Sequence, residues 1–535
     1  MVWMLWLIWA SVLLGGAVGI WSAVKVSGHR GWVVLVIIIL ALGLRVGWPG
    51  EHFYGLEYED AYVYAVASRH LTATTSAWDS AGLTVCAIGS VDRCAGWERF
   101  PGHLMGFPAI LAALQALVGY RPALPPLLGG ALSTFASLAV WWAAWAIYRS
   151  FQSAAVAGLL FAVTPAIALY GGSACSESAS SAAVAVAIGA AATCRRSESS
   201  RGWWAWQALV LLATGLAVSI RRENAALLVL ASLFLRPKET VPGPPTRRWW
   251  LLAAWVSIGL IAGWMFVPSL ISEVGEYGTF SFGVGRFLHG LPVISRALLY
   301  PQWFGLVALG AGVGFWRARR ARAGGSDVDA AVLLCVAVVT VAMLMLYASH
   351  VRSTYELAGA AVEPFEFLRY LSNAGATLCI LAAPALFGAG TRHQPWKPIH
   401  LAAFVLYVGG CVFASWILRR NIVKLEDDVR RRPALQAIAV ADELGERFPI
   451  VTLEPLLVQL YGSPSIKVIS LPFLTPERLR EAGGRVLYLR LDRYQSAIDK
   501  KRYARGLSAL PTESSRQLLS GDGWAVLLFG VEAAK

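Results

Sequence analysis

The sequence predicts a polytopic α-helical membrane protein with a small α/β domain at its C-terminal end, and three observations carry that prediction. The chain is 57% hydrophobic and only 15% charged, with a mean hydropathy of +0.57 over 535 residues. Apolar runs of spanning length recur along most of it. After Leu418 the character changes to a mixed polar pattern with short β-like runs. A water-soluble chain of this length would divide into several domains with separate cores, since single cores stop growing near roughly 250–300 residues. This composition cannot hide its apolar surface in such globules and needs lipid.

The first apolar run, residues 3–24, is long enough to span a bilayer, which takes about 20 residues. It lacks a basic leading segment and a small-residue cleavage site, so it reads as a retained helix and not a signal peptide. Further runs at 32–48, 123–148, 154–171, 178–194, 203–220, 224–235, 249–268, 302–316, 328–348, 367–388 and 399–418 bring the total to about twelve spans, with 224–235 short for a crossing. The segment 103–118 is apolar but interrupted by Pro108; it reads as a juxtamembrane helix in the interface.

Charge sets the orientation. Lys25, Arg30, Arg149, Arg195, Arg196, Arg201, Arg236, Lys238 and the cluster Arg317, Arg319, Arg320 and Arg322 fall in one set of loops with few acids. Glu51, Glu57, Glu59, Asp60, Glu177, Glu223, Glu356 and Glu363 fall in the other. Excess Lys and Arg marks cytoplasmic loops, so the loop 49–107 and the C-terminal tail are expected outside, in a multi-pass protein of the cell membrane. The same bias accounts for the net charge of +14 without nucleic acid. Two regions follow: a membrane module over 1–419, including the outer loop 49–107, and an extracytoplasmic α/β domain over 420–535. In that domain β-like runs at 449–453, 466–469 and 485–489 alternate with helical segments, one of them opened by Thr475-Pro476-Glu477. Of the seven cysteines, Cys194, Cys335, Cys379 and Cys411 lie in or beside apolar runs and read as packing residues. Cys86 and Cys94 share one polar loop, where an oxidising compartment would allow a disulfide.

The stretch with the most chemistry is Glu57-Tyr58-Glu59-Asp60-Ala61-Tyr62, which opens a helical pattern just beyond the second span. Adjacent carboxylates on a helix point about 100° apart, so one can face a reacting centre while the other orients a partner or a metal. On these residues alone, a solvated first turn is the plainer account, because acids suit a helix N-terminus. Arg221, Arg222 and Arg369 stand at span ends, where cations are costly unless used or solvated. Their alternative is snorkelling of the long stems to the interface. Glu177 follows a Ser-rich turn and reads equally as a capping acid. His70 and His103 are lone histidines and read as hydrogen-bonded residues, not ligands.

In order and spacing these segments resemble the GT-C glycosyltransferases, and among them the polyprenyl-phosphate-sugar enzymes related to protein O-mannosyltransferases and lipid A aminoarabinose transferase. Glu59-Asp60-Ala61-Tyr62 is similar to that family's acidic pair in its first outer loop. Arg99 to Pro108 resembles its Pro-containing juxtamembrane helix, and Thr164-Pro165, Tyr170 and Glu177 its span ending in Pro and Tyr before an acid. Gly215 to Glu223 and Phe367-Leu368-Arg369-Tyr370-Leu371 resemble two further family segments. The likeness runs over roughly residues 30–420, and the ordered set, more than any single motif, carries it.

The resemblance implies an inverting transfer of one sugar from a polyprenyl-phosphate carrier to an extracytoplasmic glycan, lipid or protein. Asp60 and Glu59 would be catalytic, and Arg222, Arg369, Arg221 and Arg286 would hold the donor phosphate. Glu177, Tyr62 and Tyr370 would support them. The chemistry agrees. A phosphate leaving group needs little protonation, so the demands are a carboxylate for the acceptor hydroxyl and cations for the phosphate. No cofactor is required; a divalent cation at Asp60 stays an open alternative, since no dense carboxylate cluster demands one. The rival class is a transporter or lipid flippase. Such proteins place ionisable residues at mid-membrane and often show paired broken helices, whereas here the charges crowd at span ends and no internal repeat is evident.

Overall fold

The computed structural model describes residues 2–46, 64–65, 68, 106–235, 250–260, 284–300, 304–355, 368–388, 398–426 and 431–444, and in shorter pieces much of 448–529. These residues fall into two units: Met1–His52 with Leu104–Ile110 and Pro126–Arg419, and Phe53–His103 with Leu111–Pro125 and Arg420–Lys535.

The first unit is helical. Its elements begin with α1 (Val2–Ser27), α2 (Trp32–Arg45), α3 (Gly106–Val118, shared with the second unit), α4 (Leu124–Tyr148), α5 (Phe151–Val163), α6 (Pro165–Gly171), α7 (Glu177–Arg196) and α8 (Ser200–Ile220). A 3₁₀ helix, Arg222–Ala231, follows, then α9 (Trp250–Leu260), α10 (Val284–Leu299), α11 (Gly305–Ala323) and α12 (Ala330–Tyr355). Two short pieces, α13 (Leu368–Asn373) and α14 (Gly375–Ala382), precede the long α15 (Pro398–Glu426). Among the described residues six helices are long and apolar enough to cross a bilayer, or seven if α5 and α6 count as one bent span. The protein is a multi-pass membrane protein. Helix α7, made of Ala, Ser, Val and Gly with scarcely a large side chain, is central and buried on nearly every side, whereas α15 keeps most of its surface exposed. Small residues let helices approach closely where lipid supplies no hydrophobic drive between them. A Cβ on Gly129 would lie 2.0 Å from the Ser173 carbonyl, and one on Gly314 2.1 Å from that of Leu381.

Three expected spans take a different form. The run 154–171 is not continuous: α5 and α6 meet at Thr164-Pro165 with a bend of 63°, because Pro165 has no N–H for the carbonyl of Phe161 four residues back. The run 224–235 is mostly 3₁₀ helix, whose rise of about 2.0 Å per residue stretches a short segment beyond its α-helical length. The run 367–388 is broken at Ala374 and again before Pro384. Within the segment 103–118, Gly106–Val118 forms α3, whose 13 residues fall short of a crossing. It is tied to α1 through Trp6 Nε1 and Trp9 Nε1, which donate to the carbonyls of Ala109 and Gly106 at 2.6 and 2.8 Å.

The break at Thr164-Pro165 leaves carbonyls that lipid cannot satisfy. Arg45, 1% exposed at the end of α2, supplies the donors. Its Nη2 donates to the Phe161 carbonyl at 2.9 Å, its Nη1 to that of Ala162 at 2.7 Å, and its Nε to Ser133 Oγ at 2.6 Å. Ser415 Oγ donates to the Val163 carbonyl at 3.2 Å, and Arg419, one turn further along α15, donates to the carbonyls of Leu44 and Arg45 that end α2. The two guanidiniums are thus held by helix C-terminal carbonyls, where a cation suits the dipole.

In the second unit a five-stranded sheet has the order β2-β1-β3-β5-β4, with β1 (Ile450–Thr452), β2 (Val468–Ser470), β3 (Val486–Leu491), β4 (Ser515–Gly521) and β5 (Trp524–Phe529). Strands β2, β1 and β3 are parallel, β5 runs antiparallel to β3, and the edge strand β4 pairs antiparallel with β5. Helix α16 (Arg432–Glu443) packs Ala437, Ile438 and Ala441 against Leu487, Leu489 and Val526 on one face, and Val451, Ile469, Tyr488 and Phe529 fill the other. The final hairpin was not among the expected strands; its signal is Asp522-Gly523, a favoured two-residue turn. Cys86 and Cys94 lie outside the described residues.

If Arg45 serves the break, its removal and the proline's are coupled. Arg45→Met should lower the thermal midpoint in detergent, since each stranded carbonyl costs about 1–3 kcal/mol. In a Pro165→Ala background, which returns an N–H to Phe161, the loss should shrink. Additive losses across this double-mutant cycle would refute the coupling.

Candidate functional site

Segments far apart in the sequence meet in the first unit. Helix α7 starts at Glu177, after a turn over residues 172–176 that follows α6, and Glu177 at this helix N-terminus is 2% exposed. Helix α8 ends at Ile220, and Arg221 leaves it in an extended conformation, φ −147° and ψ 126°, before the 3₁₀ helix begins. That turn aims the Arg221 side chain at Glu177: Nη2 lies 2.5 Å from Oε1, and Nε donates to Ser176 Oγ at 3.2 Å. Glu223 Oε1 stands 3.8 Å from Nη1, and the guanidinium lies 5.4 Å from the centre of the Tyr370 ring. The helix ends assist both charges, since α7 presents its positive end to Glu177 and α8 its negative end to Arg221. Burial on this scale is costly, and these contacts offset part of that cost.

Behind the pair is a chain of polar side chains inside an apolar bundle. Asn224 Nδ2 donates to Ser180 Oγ and to the Ala217 carbonyl, both at 2.7 Å. Asn373 Nδ2 donates to Tyr347 Oη at 2.7 Å and to Asn224 Oδ1 at 3.2 Å, while Ser180 Oγ donates to Asn373 Oδ1. The rings of Tyr347 and Tyr370 lie 5.8 Å apart. Helices α7, α12 and α13 and the 3₁₀ helix are therefore cross-linked around one point, and Ser180, Asn224, Tyr347 and Asn373 each have a partner in this low-dielectric setting.

This arrangement gathers Glu177, Arg221, Arg222 and Tyr370. Arg222, half-buried, opens the 3₁₀ helix beside Arg221. Arg369 lies on α13 next to Tyr370, and Arg286 lies on α10; both side chains are outside the described residues, as are Glu59, Asp60 and Tyr62 altogether. Arg221 differs from the reading of it as a donor-phosphate contact in one respect: its guanidinium is engaged by the carboxylate of Glu177. Sequence reasoning missed Glu223, Asn224, Tyr347 and Asn373. The available signal was an amide in an apolar run, at Asn224 and Asn373, because polar groups at membrane depth are expensive and tend to be used. Among the described residues no group of three His, Cys, Asp or Glu side chains is placed to hold a metal.

The pair is testable through stability. Arg221→Met or Glu177→Leu alone leaves a buried charge uncompensated and should cost about 3–5 kcal/mol. The double variant should cost clearly less than the two together. Equal additive losses in thermal unfolding would show that the two charges do not interact.

No protein-family model and no curated protein matches the chain. Solved structures do. ArnT from Cupriavidus metallidurans bound to undecaprenyl phosphate aligns with a TM-score of 0.54 at 17% identity over 94% of this chain and 98% of its own. The apo form of the same protein aligns at 0.54 and 16% identity over 93% and 98%. The archaeal oligosaccharyltransferase AglB from Archaeoglobus fulgidus, in complex with an inhibitory peptide and a dolichol-phosphate, aligns at 0.51 and 10% identity over 94% and 74%. At such identities the likeness is one of fold. The chain shares its fold with ArnT and AglB: a polytopic helical membrane module with a small C-terminal α/β domain.

Proposed function

We propose that the protein is an inverting membrane glycosyltransferase that moves a sugar from a polyprenyl-phosphate carrier to an extracytoplasmic glycan, lipid or protein. The observation that carries this reading is the shared fold with ArnT and AglB, whose structures hold undecaprenyl phosphate and a dolichol-phosphate. It is joined to the acidic pair Glu59-Asp60 of the sequence. In this reading the acceptor hydroxyl oxygen attacks the anomeric carbon as its proton passes to Asp60. The bond from that carbon to the phosphate oxygen breaks, and the electron pair leaves with the polyprenyl phosphate. Glu59 orients the acceptor or its partner. The charge that develops on the departing phosphate is met by arginines, since planar guanidiniums suit phosphate oxygens in paired contacts.

Arg222 and Arg369 are the leading phosphate contacts, with Arg286 a further one. The contact of Arg221 with Tyr370 supports the assignment, because it brings together the two segments on which Arg222 and Arg369 lie. Arg221 and Glu177 then act as positioning residues. Purified protein given polyprenyl-phosphate sugars should release polyprenyl phosphate with a suitable acceptor, whereas a transporter or flippase would move the lipid without cleaving it.

Asp60→Asn should abolish transfer, a loss on the order of 10²–10⁴ in rate for a removed base. Donor binding should survive, and Glu59→Gln should be milder. Turnover at the wild-type level in Asp60→Asn would sink the assignment. Activity that vanishes on chelation and returns with a divalent cation would instead give Asp60 a metal-binding role.

Donor affinity separates the arginines. Arg222→Ala and Arg369→Ala should each weaken donor binding in nanodiscs by about 1.5–3 kcal/mol, the scale of a hydrogen bond to a charged group. Lysine at either position should recover only part, because it keeps the charge and loses the fork. Unchanged affinity in both alanine variants would move the phosphate to other residues.

A further inference from the structure

We propose that the C-terminal end of α11 is a binding site for the phosphate headgroups of anionic phospholipids. Two faces of this helix have different fates. One packs against α14 through Gly310 and Gly314, where an added Cβ would meet Ala382 at 3.3 Å and the Leu381 carbonyl at 2.1 Å. The other carries Leu306, Leu309, Val313 and Trp316, all exposed and spaced three and four residues apart, as one apolar stripe along the helix. In a membrane protein a stripe of this kind faces acyl chains, and a tryptophan at its end sits at headgroup level.

Directly beyond Trp316 the helix ends in Arg317, Arg319, Arg320 and Arg322, all exposed. Arg317 donates to the Ala385 carbonyl, and Arg320 lies 5.5 Å over the Trp316 ring. The acids that follow in the chain are already taken. Asp327 pairs with Arg196 at 2.9 Å and Asp329 with Arg195 at 3.1 Å, both from the end of α7. Among the described residues no carboxylate pairs with Arg319, Arg320 or Arg322. Arg322 Nη1 donates to the Ser326 carbonyl at 3.3 Å, which leaves its charge without a counter-ion; the helix dipole favours cations at this end but does not neutralise three guanidiniums that have no carboxylate partner. Three cations at the foot of a lipid-facing stripe match the phosphates of the adjoining leaflet in charge and in depth. A soluble acidic partner would leave the stripe and Trp316 unused.

The site is also held in place. Gly324 and Gly325, the latter at φ 85°, turn the chain, and the Asp329 N–H donates to the Ile147 carbonyl at 3.0 Å, fixing the start of α12 against the end of α4.

The test compares the full-length protein with the triple variant Arg319→Gln/Arg320→Gln/Arg322→Gln in native mass spectrometry and thermal unfolding. Phosphatidylglycerol, phosphatidylcholine and inorganic phosphate are each titrated. Wild-type protein should retain and be stabilised by phosphatidylglycerol but not by phosphatidylcholine or inorganic phosphate. The triple variant should bind phosphatidylglycerol roughly a hundredfold more weakly, the sum expected at about 1 kcal/mol per basic residue near a lipid surface. The corresponding triple lysine variant should keep most of the binding, which separates lost charge from damaged structure. On the wild type alone, phosphatidylglycerol affinity should fall as salt rises from low to molar levels. Retention by the glutamine variant at the wild-type level, equal stabilisation by phosphatidylcholine or free phosphate, or affinity indifferent to salt would each overturn the proposal.

Discussion

The first unit depends on one constraint: a backbone carbonyl in lipid has no water to turn to. At Thr164-Pro165 that constraint is violated by the chain itself, because proline withholds the donor that Phe161 needs. Arg45 and Ser415 repair the fault from two other helices, and Arg419 repairs the end of α2 in turn. The consequence reaches past local stability. The bend sends α6 off the axis of α5, and the chain returns through Ser173 and Ser176 so that α7 begins inside the bundle. A continuous span at 154–171 would have no means to deliver a glutamate to the buried N-terminus where Glu177 stands.

Once Glu177 is there, the rest of the polar cluster follows from charge and hydrogen-bond capacity. A buried carboxylate needs a cation, and the extended Arg221 at the end of α8 meets it with both helix dipoles favourable. The amides of Asn224 and Asn373 then tie the 3₁₀ helix to α7, α12 and α13. Removing either amide would strand the partners it now satisfies, since a buried network with one member missing is worse than an apolar core. The cluster acts as a clamp that sets the spacing of Arg222 and of the α13 backbone that carries Arg369.

The surface of the same unit is graded by its surroundings. Central α7 is built from small residues because neighbours press on it from nearly every side, whereas α11 and α15 show Leu, Val, Phe and Trp outward. Where α11 leaves the apolar zone its composition turns to arginine within one turn, and the two acids next in the chain are consumed by Arg195 and Arg196. The pattern is that of a helix matched along its length to acyl chain, interface and headgroup.

The sequence by itself determined the class. Runs of apolar residues near 20 long can only be membrane helices, basic loops bias their direction, and the shift after Leu418 marks a domain of another kind. It also singled out Arg221 and Arg222, since cations at span ends stand out against an apolar background, while Glu177 and Tyr370 came forward only through the family resemblance. The runs holding Pro165 and Pro384 read as continuous spans, because a proline in a span can kink, end or split it, and hydropathy averaged over a window is blind to the choice. Partnership was beyond reach of the sequence. That Arg45 serves Phe161, that Arg221 is engaged by Glu177, and that Asn224 finds Asn373 across 149 residues of chain depend on helix rotation and depth. Those are set by close packing of small residues from several helices at once, and only the tertiary structure decides them.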